Sequence, residues 1–279
     1  LYICAAAKTG QKNWSPTARK DLPFVKAVGK EAFEVNGSKY GTWKEAVSAL
    51  EKAVSGEIIL RDDVELQEKD EFPSVSCTIR SGDERKCKIK GGVMEAKADI
   101  AFENVVYDVR RIYGNGYSVT IGTDVETTFS FMKRSIFAGV AYDAEEKEIT
   151  ANPVISVESG KFVLYGSGSG GTTLKGNVEI RVKGTAEAEV AGAYMNSTVD
   201  GKVTVTVEDQ ASLSEFLGEQ NKGSAKELEL ILMGSPKLDG RTFRGTVNGT
   251  PKGTLNLRQA SLSPEQAEKF KDFAEILKA

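Results

Sequence analysis

The sequence predicts an all-β chain wound as a single-stranded parallel β-helix, a solenoid, with an α-helix capping each end. Three observations carry this expectation. Four two-periodic runs, Val178-Glu-Ile180, Val203-Thr-Val205, Leu228-Glu-Leu230 and Leu255-Asn-Leu257, begin 25, 25 and 27 residues apart. In each, the outer residues point one way and the polar middle residue points the other, so one face is dry and one wet. Self-similarity at a period in the twenties marks stacked units that bury their apolar edges on one another. Between Gly56 and Ala260 helical spacing is absent, apart from a short candidate at Leu213-Ser-Glu-Phe-Leu217, which argues against βαβ winding. An amphipathic helical pattern precedes the first strand and another follows the last.

Taken in order, residues 1–32 read as an irregular leader punctuated by Trp14-Ser-Pro16 and Leu22-Pro23. Residues 33–56 read as a hairpin and a capping helix. Phe33-Glu-Val35 and Lys39-Tyr40 flank Asn36-Gly37, a pair that accepts positive φ at both turn positions. Thr42-Trp-Lys-Glu45 is a capping box, and the helix it opens runs to about Val54, with Trp43, Ala46, Val47, Leu50 and Val54 on one face. Residues 57–260 form the β-helix. Its expected strands include Glu57–Leu60, Val64–Leu66, Val75–Ile79, Cys87–Ile89, Ile100–Phe102, Val119–Ile121, Phe129–Phe131, Val154–Val157 and Phe162–Leu164, separated by Gly, Asn and Asp turns. Residues 261–279 form the closing helix. It is opened by the capping box Ser263-Pro-Glu-Gln266 and carries Phe270, Phe273, Ala274 and Leu277 as its apolar stripe.

Composition narrows the chemistry. The 279 residues include 28 Gly and no His, with a formal charge of −3. Without His there are no Ser-His or Cys-His nucleophile pairs and no His-ligated metal. The net charge argues against a nucleic-acid or anionic-membrane partner, both of which favour basic stripes, and no apolar run approaches the roughly 18 residues of a membrane helix. No metal or cofactor is expected. Cys4, Cys77 and Cys87 show no zinc-site spacing, and Cys77 and Cys87 flank a turn where a disulfide is one option and free thiols the other. The chain starts at Leu1, so any targeting segment is expected to have been removed.

The run from Tyr40-Gly-Thr-Trp to Gly56-Glu-Ile-Ile-Leu60 and Asp63-Val-Glu-Leu66 resembles the opening of parallel β-helix proteins of the pectin-lyase-like superfamily. Ile100-Ala-Phe-Glu-Asn104-Val is similar to their rung motif, in which the Asn sits at a coil corner. The Gly-rich segments around Tyr113-Gly-Asn-Gly-Tyr117 and Tyr165–Asn177 are similar to repeats of bacterial surface members. The resemblance covers about residues 33–260. It implies a right-handed winding, a secreted or cell-surface location and a bacterial origin.

Lyases of that superfamily use Asp clusters for Ca²⁺ and an Arg as base. The resemblance points to Asp108 with Arg110 and Arg111, then Asp124 and Asp143, and strand alternation predicts that Asp108 and Arg110 share a face. A surface ion pair accounts for the same residues, and no calcium-loop spacing is present. Asp62-Asp63 fits a turn. Gly166-Ser-Gly-Ser-Gly-Gly171 lacks the Lys-Ser/Thr of a phosphate loop. Tyr107, Tyr113, Tyr117, Tyr142, Tyr165 and Tyr194 fall near turns, where aromatic rings either stack on sugars or pack corners. The expected function is that of a non-catalytic surface domain presenting a rigid flank, with Tyr113, Tyr117, Tyr142, Tyr165 and Tyr194 as ligand contacts, to a glycan or a host or surface protein. A polysaccharide lyase or glycoside hydrolase is the alternative, and a structural stalk the third reading.

Overall fold

The computed structural model describes residues 31–67, 70–82, 85–128, 134–240 and 243–278. The leader up to residue 30, Cys4 and the expected strand Phe129–Phe131 lie outside these. The described residues wind as an all-β parallel solenoid of about 8 turns, consistent with a right-handed parallel β-helix.

Two long, mainly parallel sheets run along the described solenoid, and a short third ladder, continuous with the first sheet, spans four coils. In the third, Glu148–Thr150 pairs with Thr173–Lys175, Thr173–Lys175 pairs with the start of Thr198–Val207, and that start pairs in turn with the start of Ser224–Gly234. The core follows from register. In the first sheet Ile58, Ile79, Phe102, Ile121, Val157, Val182, Val207 and Leu232 are successive partners, and every one is 0% exposed. Each such burial is worth roughly 1.5–3 kcal/mol, so the column is the main reason the coils stay stacked.

The four triplets lie in one column, with a correction to the last. Val178, Val203 and Leu228 are partners, but Leu255 pairs with Leu230, not Leu228. The true repeat there is again 25 residues, and the apparent 27 came from matching the wrong Leu.

The expected hairpin forms, Phe33–Val35 against Ser38–Tyr40, with Asn36 and Gly37 both at positive φ. Helix Trp43–Ala53 carries the full capping box and buries Trp43, Ala46 and Leu50. Val54 is the exception on the predicted apolar face. It is the left-handed C-cap at φ 70 and is 73% exposed.

Two expectations are corrected. The closing helix is a single turn, Pro264–Ala267, although its capping box is complete. The chain then returns to strand: Phe270–Lys271 pairs with Phe243–Arg244 and Glu275–Leu277 with the strand Thr254–Ala260. Phe270 stacks on Phe243 at 5.1 Å and Phe273 on Phe216 at 5.9 Å, so packing against the preceding coil outweighs helix propensity. The short helical candidate at Leu213–Leu217 is part of strand Ser212–Gln220. A bulge there seats both Leu213 and Phe216 in the core, which imitates helical spacing. Cys77 and Cys87 are free, buried thiols. Cys77 belongs to the core column of the first sheet, whereas the Cys87 thiol donates to the Leu60 carbonyl at 3.4 Å.

Candidate functional site

Strand Val106–Tyr113 positions the candidate residues, and its in-out alternation changes phase midway. Tyr107 and Val109 point into the core, as does Ile112, so alternation breaks at Arg110-Arg111. Asp108 and Arg110 lie before the break and share the outward face, as strand alternation predicts, and Arg111 is outward as well. Asp108 accepts from the buried guanidinium of Arg134, which also donates to Thr128 Oγ1 at 2.7 Å. Arg110 is exposed, and Asp124 sits exposed in a left-handed turn at φ 57. Asp143 is exposed in a loop. Among the described residues no ion pair joins Arg110 or Arg111 to Asp108 or Asp124. Nor do three His, Cys, Asp or Glu side chains gather as metal ligands. No helix among them is long and apolar enough to cross a membrane.

Arg111 instead faces the aromatic residues. Tyr113, Phe137 and Tyr165 are register partners on successive strands of the second sheet, and they point away from the core while Ile112, Ile136 and Leu164 point into it. Tyr113 stacks on Phe137 at 4.6 Å, Phe137 on Tyr165 at 4.4 Å, and Tyr194 leans on Tyr165 at 4.4 Å. The Arg111 guanidinium lies 5.5 Å from the Phe137 ring centre and 5.9 Å from that of Tyr113. Each aromatic contact adds about 0.5–1.5 kcal/mol beyond burial.

Loops fold over this outward column. The Tyr113 hydroxyl and Ser169 Oγ are 2.9 Å apart, Ser169 N–H donates to the Val140 carbonyl at 3.1 Å, and Gly170 N–H donates to the Met195 carbonyl at 2.9 Å. The column forms a hydrophobic cluster of its own, with Tyr113 and Tyr165 buried and Tyr194 partly so. Burial pushes the Tyr165 phenol up to about 12; Tyr194, Glu189 and Glu215 push the same way, while Arg111 opposes them. On the rim of this cover Tyr142 is 61% and Met195 43% exposed. Both touch Gly170: Tyr142 packs directly on it, where an added Cβ would come within 2.2 Å of the Tyr142 Cβ, and the Met195 carbonyl accepts its N–H. Tyr117, 42% exposed, follows the left-handed turn at Asn115-Gly116.

The five tyrosines thus divide. Tyr113 and Tyr165 spend their faces on neighbouring rings, Tyr194 is half-covered, and Tyr117 and Tyr142 offer theirs to solvent. Sequence reasoning missed Phe137, Met195 and the pair Glu189 and Glu215. Those two carboxylates are register partners on adjacent coils, and their spacing of 26 residues was the available signal. Compared with family models, curated proteins and solved structures, the chain matches none.

Proposed function

We propose that this is a non-catalytic binding domain of a secreted or cell-surface protein, and that it meets a glycan or protein partner along the loop-covered flank of its second sheet. One observation carries the reading: Tyr142 and Met195, which both contact Gly170, are exposed on a rim whose underlying rings, Tyr113, Phe137, Tyr165 and Tyr194, pack on one another. A rigid foundation lowers the ordering cost of binding, and an exposed tyrosine presents a flat apolar face with a polar tip. The kinship to pectin-lyase-like proteins and the bacterial origin belong to this proposal, on the strength of the motifs alone.

The competing reading, a polysaccharide-degrading enzyme, has Glu189 and Glu215 in its favour, since neighbouring coils hold the two carboxylates beside Tyr165. A glycan array and a panel of candidate surface proteins, probed with the chain and its Tyr142→Ala variant, test the proposal. Binding that weakens at least tenfold in the variant supports it. Turnover of a polysaccharide that Glu189→Gln or Glu215→Gln abolishes overturns it in favour of the enzyme.

A further inference from the structure

Lys202, Glu229 and Asn256 come from three successive strands of the first sheet, Thr198–Val207, Ser224–Gly234 and Thr254–Ala260. Lys202 Nζ donates to Glu229 Oε2 at 2.5 Å, and Asn256 Nδ2 donates to Glu229 Oε1 at 3.1 Å. One carboxylate therefore holds a primary amine on one oxygen and a primary carboxamide on the other. The Glu229 side chain is only 14% exposed. Asn256 Oδ1 accepts the N–H of Arg258 at 3.3 Å, which polarises the carboxamide carbonyl. Other lysines pair with glutamates between coils, as Lys175 does with Glu148 and Lys161 with Glu187. Among the described residues only Glu229 also receives an Asn side chain alongside its lysine.

We propose that Lys202 and Asn256 form an intramolecular amide cross-link, with Glu229 as the catalytic proton carrier. The Glu229 carboxylate takes one proton from the Lys202 ammonium, the amine so freed attacks Asn256 Cγ to form the Nζ–Cγ bond, and Glu229 passes that proton to Nδ2 before taking the second one from the attacking nitrogen. The Arg258 N–H holds the oxygen of the tetrahedral adduct. The Cγ–Nδ2 bond then breaks, and Nδ2 leaves as ammonia with the proton that Glu229 carried. Nothing is oxidised or reduced. Holding nucleophile, base and electrophile together makes the step unimolecular. The product joins the first and third of three coils across the one between them, a covalent staple along the solenoid axis.

Intact-mass spectrometry of the whole chain, fresh and after prolonged incubation, followed by peptide mapping, tests this. The expected species is one ammonia lighter than the sequence mass and yields a branched peptide linking Lys202 to Asn256. Glu229→Gln and Lys202→Arg are each expected at full mass. A chain that keeps full mass throughout, with Lys202 and Asn256 in separate peptides, overturns the proposal. So does an ammonia loss that maps elsewhere, such as to succinimide at Asn36-Gly37 or Asn248-Gly249.

Discussion

Tyr165 shows how one residue ties the flank to its chemistry. Its phenol is 9% exposed and is pushed up to about 12, chiefly by burial. The neutral form is thus favoured in the folded chain relative to the unfolded one, where tyrosine titrates near 10. That contribution is complete below pH ~10 and is lost as the pH rises toward 12, because the unfolded state sheds its proton first. Chemical denaturation at pH 9 and pH 11 should show a loss of stability that is smaller in Tyr165→Phe; an equal loss in both would place the alkaline sensitivity elsewhere. The Gly-rich turn signal marked Tyr113 and Tyr165 as lying near turns. It carried no information on whether the loops Val140–Tyr142 and Ser167–Gly170 would lie over them, since those contacts join residues about 25–55 positions apart. The Asp108–Arg134 pair was hidden for the same reason: its partners lie one coil apart.

At the scale of elements, the corner that follows the second sheet is set by a glycine ladder. A Cβ on Gly166 would lie 2.4 Å from the Gly192 carbonyl oxygen, and one on Gly192 2.7 Å from that of Gly218. Backbone from the next coil occupies the space, so relief requires the coils to separate. Gly192→Ala is expected to cost about 1–3 kcal/mol, as overpacking in a close-packed interior does. Gly92→Ala, on strand Lys88–Glu95 with nothing within 4 Å of the added carbon, is the matched control and should be near neutral. Urea melts of the two variants decide it, and equal costs would mean that the ladder is incidental. The helix Trp43–Ala53, its cap and most strands were legible because each is written locally, in a cap, a turn or an alternation. The last coil was not. Phe270 and Phe273 sit at helical spacing, and what draws them into a strand-and-turn coil is the pair Phe243 and Phe216 on the coils beneath.

Across the described solenoid the two ends differ. At the first, helix Trp43–Ala53 lays Trp43, Ala46 and Leu50 onto the core, and the Trp43 ring meets Phe33 and Phe72 edge-on. At the other, Ile276 takes the core register beneath Leu255, yet it is 48% exposed where Leu255 is 1%. Coils in a solenoid draw stability from their neighbours, so a coil stacked on one side holds less than one stacked on both. Surface ion pairs between coils add at most about 1 kcal/mol each and cannot offset that difference. Opening should therefore begin at Phe270–Leu277 and proceed inward, while the amides of Val178–Val182 and Thr198–Val207, paired on both sides, open last. Hydrogen exchange followed by mass spectrometry reads this order directly. If Glu275–Leu277 exchanged as slowly as Val178–Val182, something other than nearest-neighbour stacking would be holding the last coil. A Lys202–Asn256 amide would steepen the gradient, since it would fasten the coils ahead of Glu275–Leu277 and leave that strand as it is. Comparing the exchange profile of the chain with that of Lys202→Arg separates the two contributions.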